Sequence, residues 1–127
     1  MNAFPIKLIY TIQTATELAA ELDRVYLNKE LLLSKGILQT GVGAPSRTFR
    51  KAVMRNRVKR LLREGYRLEK PAFLATAALQ GKRVNLFFLY TDATVLTQEA
   101  IQEKIKQLLS RLAEKLNNSN KPTNESK

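Results

Sequence analysis

Apolar positions recur along this chain with two periods. Phe4, Ile6, Leu8, Tyr10 and Ile12 alternate with Pro5, Lys7, Ile9 and Thr11. A period of two predicts a strand with one apolar face over Phe4 to Ile12. Thr14-Ala15-Thr16-Glu17 then matches a capping box. Leu18, Leu22, Val25 and Tyr26 follow at helical spacing, so a helix is expected from Ala15 to Val25. Leu31-Leu32-Leu33 fits either a helix end or a strand start. Gly36 punctuates, and Ile37 to Val42 forms a second expected strand.

Gly41, Gly43 and Pro45 make the next stretch irregular before a helix that begins near Thr48. Ser46 or Thr48 is its expected N-cap. That helix is expected to end near Glu69, because Pro71 disfavours helical backbone at Lys70. Pro71 then opens a short helix that continues from Ala72 to Leu79, with Gly81 as its stop. Arg83 to Thr91 holds Val84, Leu86, Phe87, Phe88, Leu89 and Tyr90. This is the most continuous apolar run, and it predicts a central strand. Thr97 caps a last helix whose stripe is Ile101, Ile105, Leu108, Leu109, Leu112 and Leu116. Asn117 to Lys127 is polar and is expected to be disordered.

Composition narrows the class. The 127 residues suffice for one hydrophobic core. With 22 Lys and Arg against 11 Asp and Glu, the formal charge is +11. A domain this basic meets nucleic acid or an anionic surface. No run approaches the ~18 apolar residues of a membrane span. The N-terminus shows no secretory pattern, so a cytoplasmic location is expected. The chain has no Cys and no His. That excludes a thiol nucleophile, an imidazole base and a Cys-ligated zinc. The carboxylates are scattered, with no spacing that suggests an acid–base pair or a nuclease metal cluster. If the chain belongs to an enzyme, another component performs the chemistry.

The charge is concentrated. Between Arg47 and Arg67, nine of 21 residues are Arg or Lys and one is acidic, giving +8 of the total +11. At about 100° per residue, Met54, Val58, Leu61, Leu62 and Gly65 fall in one narrow stripe. Arg50, Arg55, Asn56, Arg57, Lys59, Arg60, Arg63 and Arg67 cover most of the rest. Lys51, Arg55, Lys59, Arg63 and Arg67 form an i, i+4 row of like charge, each adjacent pair costing ~0.2–0.5 kcal/mol. Only Glu64 relieves it, through Arg60 or Arg67. A solvated face mixes both signs, and a membrane-surface or calmodulin-binding helix has a wider apolar face. A DNA-reading helix carries more base-reading Asn, Gln and Ser. One-signed, Arg-rich charge fits a phosphate backbone, because the guanidinium fork pairs with two phosphate oxygens.

The run Lys51-Ala52-Val53-Met54-Arg55-Asn56-Arg57-Val58-Lys59-Arg60-Leu61-Leu62-Arg63-Glu64-Gly65-Tyr66-Arg67 resembles the signature of the bacterial ribonuclease P protein component. The resemblance runs from Phe4 to Leu116, with its specificity between Ser46 and Arg67. It implies an α/β protein, an α+β two-layer sandwich with a left-handed βαβ crossover, like domain 2 of ribosomal protein S5. It implies a single RNA-binding domain over residues 1–116, with 15–33 as an insertion and 117–127 as a tail. Against the family pattern the chain is N-terminally shortened, starting at the strand from Phe4.

The implied function is the protein subunit of ribonuclease P, an endoribonuclease whose RNA subunit, with Mg²⁺, removes the 5′ leader of precursor tRNA. The implied partners are ribonuclease P RNA and precursor tRNA. The implied RNA contacts are Lys51, Arg55, Asn56, Arg57, Lys59, Arg60, Arg63 and Arg67, with Arg47 and Lys7 as candidates for the leader. Ala52, Val53, Val58 and Leu62 would be packing positions, and Glu64 would orient an Arg. No catalytic residue and no metal ligand is expected in the protein. Of the strand aromatics Phe4, Tyr10, Phe87, Phe88 and Tyr90, most are expected to be core, with a stacking platform for a single strand as the alternative. The alternative is a ribosome-associated RNA-binding protein without enzymatic function, using the same helix.

Overall fold

Alternating strands and two amphipathic helices give the order β1 (Asn2–Ala3), β2 (Ile6–Thr14), β3 (Ile37–Gly43), α1 (Ala52–Thr76), β4 (Lys82–Tyr90) and α2 (Gln98–Ser119). These come from a computed structural model that describes residues 1–14 and 34–119. The four strands form one sheet in the order β1-β2-β4-β3. With the two helices among the described residues, it gives the expected α+β two-layer sandwich. Residues 15–17 of the expected capping box, the helix from Ala15 to Val25, the Leu31-Leu32-Leu33 run and the 15–33 insertion lie outside the described residues, as do residues 120–127 of the tail, whereas Thr14 ends β2.

The first strand is displaced from its expected place. Phe4 and Pro5, joined by a cis peptide bond, form the turn between β1 and β2. Asn2 pairs with Lys7 and Ala3 with Ile6 in an antiparallel register. Alternation still decides which side chains are buried: Ile6 and Leu8 are, while Lys7 and Ile9 are exposed. Phe4, in the turn rather than the strand, is 70% exposed. β4 keeps the same rhythm, burying Lys82, Val84, Leu86, Phe88 and Tyr90. It is an interior strand, as its apolar run predicts.

The chain gathers into two compact units. The larger contains Met1–Ile9, Gly41–Ala78 and Phe87–Lys127. Its core is Ile6, Leu8, Phe49, Val58, Leu62, Phe73, Phe88 and Tyr90 with the α2 stripe. All six stripe positions from Ile101 to Leu116 are buried, as their spacing predicts. Thr97 caps α2, its Oγ1 accepting from the Ala100 N–H at 3.2 Å. The α2 helix reaches Ser119, so Asn117 and Asn118 belong to it rather than to the polar tail. The smaller unit contains Tyr10–Thr40 and Leu79–Leu86. There Asn85 Nδ2 donates to Thr11 Oγ1 at 3.1 Å and Arg83 Nη2 to Gln39 Oε1 at 3.2 Å. Gly36 has φ +81°, and a Cβ there would lie 2.1 Å from the Leu79 carbonyl oxygen, so only glycine fits.

α1 differs most from expectation. It starts at Ala52 rather than Thr48, because residues 45–49 are held in a turn in which Thr48 and Phe49 both donate to the Pro45 carbonyl. Neither Ser46 nor Thr48 is the cap; Lys51 stands there, with no side-chain cap bond. Nor does the helix end near Glu69: it runs through Pro71 to Thr76. A mid-helix proline removes one backbone bond and costs ~3 kcal/mol. Tertiary contacts on either side outweigh it. Gln102 Nε2 of α2 donates to Glu69 Oε2 at 2.6 Å, and Phe73 is buried. Asn117 clasps the end, accepting from the Ala78 N–H at 3.1 Å and donating to the Thr76 carbonyl at 3.0 Å. The second short helix to Leu79 therefore does not form. Gly81, with φ +74°, sits in the turn into β4 instead of stopping a helix.

Asn117→Ala removes both clasp bonds and is expected to cost about 1 kcal/mol in urea unfolding. Leu112→Ala leaves a cavity under a fully buried side chain and should cost about 2–5 kcal/mol. A smaller loss for Leu112 than for Asn117 would contradict the core placed here.

Candidate nucleic-acid interface

The face of α1 that is not needed for packing carries the charge. Val58, Leu62, Gly65 and Phe73 are buried, and Met54 and Leu61 are half-buried beside them. The stripe is narrow because Gly65 lets α2 come close: a Cβ there would lie 2.9 Å from Ile105 Cδ1 and 3.4 Å from Gln102 Cα. Tyr66 adds an edge contact, its ring 5.7 Å from that of Phe88. Opposite this stripe, Asn56, Arg60, Arg63 and Arg67 line up at i, i+4, i+7 and i+11, and all are exposed. Arg57 is exposed on one flank. Arg55 and Lys59 lie nearer the stripe and are half-buried.

The structure sorts these cations by what they already hold. Arg67 forks onto Glu64, Nε donating to Oε1 at 3.0 Å and Nη2 to Oε2 at 2.6 Å. Glu64 thus orients an Arg, and the Arg is Arg67. The hydrogen bond from Arg67 holds the Glu64 carboxyl below the usual glutamate range, and the same bond raises the guanidinium. Because the folded-state value is depressed, the pairing is present above the unfolded value. It is lost as pH falls through the folded one. Arg55 Nη1 donates to the Phe49 carbonyl at 2.8 Å and to the Arg50 carbonyl at 3.0 Å. Arg57, Arg60 and Arg63 make no hydrogen bond or ion pair among the described residues.

Three expectations need correction. Ala52 and Val53 are not packing positions: both are exposed, Val53 at 77%. They occupy the first turn, before α1 reaches α2. Lys51 does not extend the i, i+4 row, because its backbone is extended (φ −86°, ψ 131°) at the cap. The like-charge row therefore begins at Arg55. Finally, the aromatics divide. Phe88 and Tyr90 are buried, Tyr10 is half-buried, and Phe4 and Phe87 are exposed. Phe87 lies over the glycines of β3, where a Cβ on Gly43 would come within 2.6 Å of its ring. It shares the sheet face away from Ile6, Leu8, Phe88 and Tyr90 with Lys7 and Ile9. Arg47 is exposed in the turn before α1.

One residue of this region escaped the sequence reading. Phe49 is buried, its ring 5.8 Å from that of Tyr90. Desolvation pushes the Tyr90 phenol up, and its hydroxyl donates to the Thr94 carbonyl at 2.7 Å and accepts from the Leu96 N–H at 3.0 Å. The available signal was a single aromatic stranded between Arg47 and Arg50 in an otherwise polar run.

Among the described residues, no three His, Cys, Asp or Glu side chains are placed to hold a metal ion, and no helix is long and apolar enough to cross a membrane. The arrangement offers an exposed column of guanidinium groups on a rigid helix, suited to a chain of regularly spaced anions. Glu64→Gln removes the carboxylate that pairs with Arg67 at the end of this column. It is expected to raise the salt concentration needed to elute the protein from heparin, while Arg60→Ala lowers it. An unchanged elution for both would separate this face from polyanion binding.

Comparison with known proteins adds one finding. A family model described as Ribonuclease P matches residues 10–113, which include all of α1 and β4 and most of α2. No curated protein and no solved structure matches the chain.

Proposed function

The chain belongs to the ribonuclease P protein family, and from this membership we propose that it binds the catalytic RNA of that ribonucleoprotein and the 5′ leader of precursor tRNA. In this reading the protein assists the Mg²⁺-dependent endonucleolytic cut that forms the mature 5′ end. The observation that carries it is the exposed column of Asn56, Arg60, Arg63 and Arg67 with Arg57 beside it, inside the matched region. Lys51 and Lys59 extend the same basic surface at its edges. A helix holds these groups at fixed spacing, so the backbone is ordered before binding and only the side chains remain to be ordered. Their contacts are to phosphate, which positions an RNA without reading its sequence.

Chemistry and positioning separate cleanly here. In this reading the Mg²⁺ is held mainly by the RNA. The protein supplies cations that lower the repulsion between two RNA chains brought together. The leader is assigned to the sheet face that holds Lys7 and the exposed Phe87 ring, with Arg47 as a further cation. An exposed ring beside the β3 glycines offers a stacking surface for an unpaired base.

Reconstitution with a bacterial ribonuclease P RNA tests the reading. Added protein should lower the Mg²⁺ concentration needed for cleavage of a precursor tRNA and tighten its binding. No change in either would reject the assignment. Arg57→Ala and Arg60→Ala should each weaken RNA binding and reduce the slope of log affinity against log salt by about 0.7 to 0.9. Their unfolding free energies should stay within about 0.5 kcal/mol of wild type, as for exposed side chains. A large stability loss would mark either residue as structural.

A further inference from the structure

Arg55 stands apart from its neighbours in the basic helix because its guanidinium is already engaged. Its Nη1 reaches back across the start of α1 to the carbonyls of Phe49 at 2.8 Å and Arg50 at 3.0 Å. A cation at a helix N-terminus opposes the helix dipole, and this one has no acidic residue in the first turn to offset it. The two carbonyls supply that offset. They belong to a turn that is fastened at three further points. Thr48 and Phe49 donate to the Pro45 carbonyl at 3.1 and 2.9 Å. The Phe49 ring is buried against Tyr90. Tyr90 is in turn fixed through its hydroxyl to Thr94 and Leu96. On either side of the anchored Phe49, Arg47 and Arg50 project into solvent.

From this geometry we infer that Arg55 is a positioning residue: it fastens the Pro45–Lys51 turn so that Arg47 and Arg50 meet the RNA as fixed cations. This reassigns Arg55 from the set of direct RNA contacts, and it rests on the RNA-binding function proposed above. The physical gain is entropic. Two long basic side chains on a loose turn must be ordered when RNA binds, whereas a turn pinned at Phe49 and clamped by Arg55 has its backbone ordered beforehand. Arginine suits the task because its charge is permanent and one planar nitrogen can serve both carbonyls.

Two measurements on the full chain test the inference. In the free protein, Arg55→Ala should speed amide exchange at Thr48 and Phe49 about tenfold, the scale of one net hydrogen bond, while the Leu108 and Leu112 amides stay as in wild type. Unchanged turn amides overturn the clamp. Faster exchange at all four positions also overturns it, because Arg55 would then support the whole fold. With bacterial ribonuclease P RNA as ligand, Arg55→Ala should weaken binding. Adding it to the Arg47→Ala, Arg50→Ala double variant should weaken binding less than twofold further, because its effect runs through those two side chains. If Arg55→Ala costs the same in both backgrounds, it contacts RNA directly and the inference fails. Wild-type protein that binds no RNA rejects the proposed function, and amide exchange alone then decides the clamp.

Discussion

The contact between α1 and α2 is the constraint that the rest of the structure obeys. α1 must present an almost continuous ring of cations and still belong to a hydrophobic core. It does so by packing through a narrow line, Val58, Leu62 and Gly65, with Phe73 one further step along. Gly65 is what makes the line narrow. Without a Cβ, α1 can close on Ile105 and Gln102, and α2 supplies the bulk that α1 lacks. Every apolar position of the α2 stripe is buried, each worth ~1.5–3 kcal/mol of transfer free energy. This burial offsets the like-charge repulsion along α1, which amounts to tenths of a kcal/mol per adjacent pair.

The same contact explains why α1 passes through Pro71. Local rules place a boundary before a proline, and they are sound for an isolated helix. Here the turns beyond Pro71 are held from α2, by Gln102 on Glu69, by the burial of Phe73 and by Asn117 on the final carbonyl. Pro71 itself is exposed, so its ring meets solvent rather than the core. The partner that decides the end of α1 lies 41 residues away in sequence, Thr76 to Asn117. No window along α1 could reveal it.

Periodicity was readable wherever one side of an element is apolar and the other polar. The α2 stripe, the alternation of β4 and the buried positions Val58 and Leu62 all follow from spacing alone. The basic face followed as well, because charge and apolar residues separate around one helix, whereas the fold class came from the resemblance of the Lys51–Arg67 run. What spacing could not supply was the identity of each cation's partner. Arg55, Arg57 and Arg67 look equivalent in the sequence. In the structure one holds two backbone carbonyls, one meets solvent and one is forked onto Glu64. Val53 misled for the opposite reason: it is apolar and sits inside the signature run, yet it occupies the first turn of α1, where it is 77% exposed.

That sorting changes how a charge count should be converted into affinity. A guanidinium that is already bonded must exchange one partner for another, and gains less from a phosphate than one whose alternative is water. Arg57, Arg60 and Arg63 fall in the second class, while Arg55 and Arg67 fall in the first. The engaged pair are not idle. Glu64 restrains Arg67 at the edge of the column, and Arg55 transfers its charge into the order of the turn that carries Arg47 and Arg50. The net charge of +8 between Arg47 and Arg67 therefore overstates the number of unengaged cations this segment offers a polyanion. The helix backbone fixes where each remaining cation starts, while its unpartnered side chain stays free to reach an anion.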